Sequence, residues 1–212
     1  MEKMGHRNLL LISNSTLYGR AYLDHAENAI RSLLGSGKQV IFVPHALFDR
    51  SAYTSKVKAR FSAMGLTLSS VHDVSNMARA VRQADAIFVG GGNTFRLVKA
   101  LHEFNLISPI RDRVEAGIPY IGSSAGAIVA GPSLRTTKDM PVVQPPSFDA
   151  LGLVHFQISP HYLDPDPSST HMGETQEERI NQFLEENETP VVGLREGSML
   201  KVENETISLL GT

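Results

Sequence analysis

The sequence predicts an α/β fold, a three-layer α/β/α sandwich around a mainly parallel sheet. Three observations lead there. Short apolar runs of strand length alternate with helical patterns from Asn8 to Ile121. The segments between successive strands are long enough to be helical crossovers, which run right-handed and place helices on both faces of a parallel sheet. With 42% hydrophobic and 20% charged residues, the chain has enough apolar surface to bury a core and too little charge to stay unfolded.

Each element follows from its own signal. Asn8–Ser13 is the first strand, and an amphipathic stretch from about Ala21 to Leu34 is a helix closed by Gly35. Gln39–Val43 is a strand ended by Pro44, and Ala52–Met64 is a helix with Gly65 as its C-terminal cap. Leu66–His72 is a weaker strand. Ser75 caps a helix reaching Gln83, Ala86–Val89 is the fourth strand, and Thr94–Phe104 and Ile107–Ala116 are helices before a strand at Ile118–Ile121. After Pro132 the rhythm breaks into a proline-rich, polar stretch at 136–150, a strand at His155–Ser159 and a long loop at 161–173. A polar-faced helix at Glu174–Glu186 follows. Pro190–Leu194, Ser198–Val202 and Thr206–Leu210 are short strands joined by turns at Glu196-Gly197 and Asn204-Glu205.

Length and charge narrow the function. At 212 residues the expectation is one domain, 1–212. A formal net charge of -2 provides no pull toward a phosphate polyanion, so no nucleic-acid partner is expected. There is no cysteine, which removes thiolate metal sites and a cysteine nucleophile. The apolar stretch Leu9–Ile12 is too short for a signal peptide, and the long uncharged run from Ala116 to Leu134 is interrupted by glycines and prolines. A cytoplasmic location with no membrane contact is expected, as a monomer or homodimer.

The most informative stretch is Gly122-Ser-Ser-Ala-Gly126, a G-x-S-x-G pattern between a strand and a helix. A nucleophile there sits on a sharp turn that lifts its hydroxyl above the sheet edge, and its small neighbours let strand and helix approach. Register selects Ser124. A second stretch, Val89-Gly-Gly-Gly-Asn-Thr94, lacks the spacings of nucleotide-binding loops and suits an oxyanion role, with Gly92 and Ala125 as N–H donors. A serine hydroxyl needs a base. His161, beside Pro160 at a strand end, is favoured over His171 in the long loop. The residue orienting it remains open among Asp139, Asp149, Asp164, Asp166 and Glu196, because spacing does not choose between them.

These residues resemble a known family: peptidase E, the α-aspartyl dipeptidases, serine peptidases related to cyanophycinase with a fold like the class I glutamine amidotransferases (flavodoxin-like). The likeness runs through LLLISNST at 9–16, VGGGNTF at 89–95, IGSSAGA at 121–127, RTTKDMP at 135–141, FDAL at 148–151, Pro160-His161, Gly173-Glu-Thr175 and GLREG at 193–197. The resemblance implies Ser124, His161 and Glu196 as the catalytic set, Gly92 and Ala125 as oxyanion donors, and dipeptides with an N-terminal aspartate as substrates. Asp139 matches an aspartate implicated in the family's active site, as triad member or substrate contact. Ser123 stands where some members have tryptophan, and members continue for another strand or so beyond the position of Thr212. Aspartate specificity requires a cation for the side-chain carboxylate, for which Arg179 and Arg135 are candidates. No cofactor and no metal are expected.

Two other readings remain. His161, Asp164, Asp166, His171 and Glu174 share one loop and could ligate a metal in a metal-dependent hydrolase, although no tight ligand spacing is present. A non-enzymatic module of flavodoxin-like topology could hold a small anion at Gly90–Thr94.

Overall fold

The computed structural model describes residues 6–170 and 172–211. Its centre is a seven-stranded sheet. Five parallel strands come first along the chain: β1 (Asn8–Ile12), β2 (Gln39–Val43), β3 (Thr67–Ser70), β4 (Ala86–Val89) and β5 (Tyr120–Ser123). A C-terminal hairpin, β8 (Met199–Glu203) and β9 (Thr206–Leu210), joins antiparallel beside β1. The spatial order is β3-β2-β4-β5-β1-β8-β9. A separate two-stranded parallel sheet pairs β6 (Gln157–Tyr162) with β7 (Val191–Arg195).

Strand residues alternate between two buried clusters, as a sheet covered on both faces requires. Leu9, Leu11, Ile41, Val43, Ile87 and Val89 point to one side, where they meet Val81, Leu97, Leu101, Ile110 and Val114. Those residues belong to helices α3 (Met77–Gln83), α4 (Thr94–Glu103) and α5 (Ile107–Glu115). Leu10, Ile12, Val40, Phe42 and Phe88 point to the other side, toward Ile30, Leu33 and Leu34 of α1 (Glu27–Leu34) and Tyr53, Val57 and Phe61 of α2 (Arg50–Ala63). The three layers expected from the sequence are present. Among the described residues no helix is long and apolar enough to cross a membrane.

Several boundaries move for local reasons. The helix expected from Ala21 starts at Glu27, because Leu23 adopts a left-handed φ of 57° and a 3-10 turn at Asp24–Ala26 precedes the regular helix. Asn76, not Ser75, caps α3, its side chain accepting from the Arg79 N–H. The third strand stops at Ser70 because Val71–Asp73 winds into a 3-10 turn. The fifth strand is displaced to Tyr120–Ser123, since its pairing with β1 and β4 begins at Tyr120. The C-terminal helix begins two residues late, at Gln176, where Thr175 and Glu178 form a reciprocal capping box. The strand expected at His155–Ser159 is β6, extended through Pro160 to Tyr162, so that His161 lies within a strand and not after one.

His45, just beyond β2, is buried against the Phe104 ring at 5.2 Å, and burial lowers its pKa from the ordinary 6.5 to about 4, helped by the nearby Arg50 charge. A depressed base favours the neutral form in the fold, so the unfolded chain takes up a proton first as pH falls through 6.5. We expect stability to drop between pH 6.5 and about 4, by up to about 3 kcal/mol from this group. Urea titrations across that range should show the drop in wild type, with a smaller one in His45→Gln.

Candidate active site

The G-x-S-x-G stretch forms the expected elbow. Ser124 follows β5 with φ 52° and ψ −110°, and α6 (Ala125–Ile128) begins at the next residue. A non-glycine residue held there is strained by about 1–3 kcal/mol, a cost the surroundings must offset. They do so by close approach. A Cβ on Gly126 would run into the Val89 carbonyl, and one on Gly122 would run into the Gly126 carbonyl. The Ser124 N–H donates to the Ile12 carbonyl at 2.9 Å, tying the elbow to the end of β1. Ser123 is fully buried, whereas Ser124 lines a cavity of about 690 Å³.

His161 reaches that cavity from the small sheet. The β6–β7 register shifts between Pro160 and Tyr162, and His161 sits at the irregularity with φ 54°. Such a bulge turns one side chain out of the strand's alternation. The backbone on either side of the ring is gripped: the His161 N–H donates to Ser13 Oγ at 2.9 Å, and its carbonyl accepts from Gln176 Nε2 at 2.9 Å and Lys138 Nζ at 3.3 Å. Burial lowers the Lys138 pKa, and repulsion by Arg179 adds to the effect.

The imidazole bridges two partners. Its Nε2 lies 3.0 Å from Ser124 Oγ, and its Nδ1 lies 2.6 Å from Glu196 Oε1. A carboxylate only accepts, so Nδ1 carries the proton and Nε2 is left to accept from the serine hydroxyl. Glu196 lies in the turn after β7. The next N–H in that turn, from Gly197, donates to Asn14 Oδ1 at 2.8 Å, and Ser13 Oγ donates to the Leu194 carbonyl at 2.8 Å. Ser13 and Asn14 are both buried.

The glycine loop after β4 flanks the serine. Gly92 has φ 134°, and a Cβ there would come within 2.8 Å of the Ala46 carbonyl oxygen. Gly91 and Gly92 line the same cavity as Ser124 and His161. Neither the Gly92 nor the Ala125 N–H is taken up by another group among the described residues. Asp139 makes no hydrogen bond to His161 among the described residues. Its Oδ2 accepts from the Thr94 N–H at 2.7 Å, from Thr94 Oγ1 at 2.6 Å and from Thr137 Oγ1 at 3.0 Å. It thus holds the start of α4, and Glu196 meets His161 in its place.

The remaining candidates lie elsewhere. Arg135 stacks over Phe148 at 5.4 Å and, with Arg179, lines a separate small cavity that does not include Ser124. Arg179 is paired with Glu174 at 3.5 Å. Of the loop proposed for a metal, Asp164 is held by Arg195 through two contacts of 2.6 and 2.7 Å, and Asp166 accepts from Ser168. His171 lies outside the described residues, and among those described no three acidic, histidine or cysteine side chains converge. Asp149 sits in a bridge with Ser133. The sequence reading missed the polar pair Ser13-Asn14, whose signal was its place directly after a buried strand. It also missed Asp49, Lys56 and Arg96, which line the Ser124 cavity and look like ordinary helix-surface charges in the sequence.

An elbow serine, an imidazole and a carboxylate in a hydrogen-bonded row at the C-terminal edge of a parallel sheet have the form of a hydrolase site. Comparison with known proteins agrees. The model of peptidase family S51 matches residues 9–210, and the chain belongs to that family; it is a peptidase. Among curated relatives, peptidase E of Streptomyces coelicolor is 53% identical over 96% of this chain and 84% of its own length. A Drosophila melanogaster protein assigned as an alpha-aspartyl dipeptidase is 49% identical over 97% of this chain and 87% of its own. A Listeria monocytogenes protein solved as a candidate peptidase E shares the fold with a TM-score of 0.75 at 24% identity, over 98% of this chain and 99% of that one.

Ser13→Ala removes one acceptor and one donor from a buried junction, taking away the side-chain acceptor of the His161 N–H and the side-chain donor to the Leu194 carbonyl. We expect a loss of about 1–3 kcal/mol for each group left unpaired. Urea unfolding measures it, and an unchanged midpoint contradicts the bracing role.

Proposed function

We propose that the chain is a serine dipeptidase that releases an N-terminal aspartate from dipeptides. The observation that carries this reading is the row Ser124 Oγ, His161, Glu196, with spacings of 3.0 and 2.6 Å, facing a cavity flanked by Gly91 and Gly92. The dipeptidase assignment of the Drosophila relative and the family match support the substrate class.

In this mechanism His161 Nε2 takes the hydroxyl proton as Ser124 Oγ bonds to the peptide carbonyl carbon. The N–H groups of Gly92 and Ala125 hold the oxyanion; losing one donor from such a hole costs about 2.7–4 kcal/mol. Collapse breaks the C–N bond, and His161 passes its proton to the leaving amine. Water, deprotonated by the same nitrogen, then attacks the aspartyl ester and regenerates the serine. Glu196 holds the imidazole in the required tautomer and offsets its transient positive charge.

Rates on Asp-Leu, Glu-Leu, Asn-Leu and N-blocked Asp-Leu test the reading. Asp-Leu should dominate, and Ser124→Ala should lower kcat by at least about 10⁴-fold. Equal rates across the panel contradict aspartyl specificity. Activity that survives Ser124→Ala and is abolished by a chelator contradicts the serine mechanism.

A further inference from the structure

The cavity in front of Ser124 carries a charge pattern that the hydrolytic residues do not use. Asp49, Lys56 and Arg96 line it together with Tyr22, Tyr53 and Phe48. The placement follows from the helices. Asp49 caps α2, its Oδ1 accepting from the Ala52 N–H at 2.9 Å, and Lys56 lies two turns further along the same helix. Arg96 is in the first turn of α4, immediately after the glycine loop.

Both cations are steered by aromatic rings. Lys56 Nζ lies 4.7 Å from the Tyr22 ring centroid, and Arg96 Cζ lies 5.6 Å from that of Phe48. Among the described residues neither forms an ion pair. The other cations around the site are engaged: Arg195 with Asp164, Arg179 with Glu174, Lys138 with backbone carbonyls, Arg135 over Phe148. Burial raises the pKa of both Tyr22 and Tyr53, whose hydroxyls lie 3.3 Å apart, so this part of the cavity lining stays neutral.

A free aspartyl dipeptide at neutral pH carries two carboxylates and one ammonium. The cavity presents two cations and one carboxylate. We propose that Lys56 and Arg96 each bind one carboxylate of a free dipeptide, the aspartate side chain and the C-terminus, while Asp49 receives the α-ammonium. The inference rests on the aspartyl dipeptidase reading and adds the recognition of a free C-terminus. It implies a limit on length, since a longer peptide would have to carry its terminal carboxylate past the second cation.

The test is a matrix of kcat/KM values for Asp-Leu, Asn-Leu and Asp-Leu-amide, with wild type, Lys56→Met and Arg96→Met. Wild type should lose about tenfold or more on removal of either carboxylate, as expected for a charge-assisted contact. One variant should erase the preference for Asp-Leu over Asn-Leu and keep that for acid over amide, and the other should do the reverse. Lys56→Arg and Arg96→Lys should restore part of each lost preference, which a folding defect would not allow. Asp49→Asn keeps a helix-capping side chain, and its loss on Asp-Leu should fall in KM more than in kcat. If both Met variants keep both preferences, the carboxylates are read elsewhere and the proposal fails. A wild type that prefers Asp-Leu over Asn-Leu but ignores amidation overturns only the C-terminal half. A wild type that does not distinguish Asp-Leu from Asn-Leu overturns the aspartyl reading beneath it.

Discussion

The site depends on the end of one strand. Ile12, the last residue of β1, and Ser13 and Asn14 directly after it lie in the middle of the sheet, and each holds a different piece of the row. The Ile12 carbonyl accepts from the Ser124 N–H, Ser13 Oγ accepts from the His161 N–H, and Asn14 Oδ1 accepts from the Gly197 N–H beside Glu196. These partners come from the elbow after β5, the bulge in β6 and the turn after β7. Because β1 is hydrogen-bonded on both sides and its last residues are buried, the bracket has little freedom. Side chains from distant segments then meet within hydrogen-bond reach without any of them contacting the others in sequence.

The same bracket accounts for where strain is tolerated. Ser124 and His161 both hold positive φ angles, at about 1–3 kcal/mol each. In each case the strained residue is fixed through its own backbone: Ser124 through its N–H, His161 through both N–H and carbonyl. The bulk of the sheet supplies the offset, with Leu9 to Ile12, Val40 to Val43 and the β4 and β5 strands almost wholly inaccessible. Small residues at 122 and 126 allow helix and strand to approach closely, and that contact raises the serine above the edge. The price of this geometry falls on positions where only a missing Cβ will fit.

Much of this was legible in the sequence because it follows from short-range rules. Period-two strands, helix lengths and the glycine-bracketed serine gave the layers, the elbow and Ser124 without long-range information. The acid was not legible from spacing, which left Asp139, Asp149, Asp164, Asp166 and Glu196 open. The resemblance favoured Glu196, and the geometry puts it on the imidazole while Asp139 Oδ2 accepts from Thr94 and Thr137. Arg135 and Arg179 looked suitable because they lie near the motifs in sequence, yet their side chains open onto another cavity. Lys56 and Arg96 were invisible for the opposite reason, being helix charges whose facing depends on how α2 and α4 pack. The bulge that turns His161 toward the serine also leaves no local signature beyond Pro160.

In the proposed mechanism the Ser124 hydroxyl is made nucleophilic by His161, which the end of β1 holds in place. Its most direct test is phosphonylation of the native protein by a fluorophosphonate, read by peptide mass mapping and rate. A single adduct on Ser124 is expected, with labelling strongly slowed in His161→Gln and slowed to a lesser degree in Ser13→Ala. An adduct on another residue, or a labelling rate indifferent to His161, would contradict it.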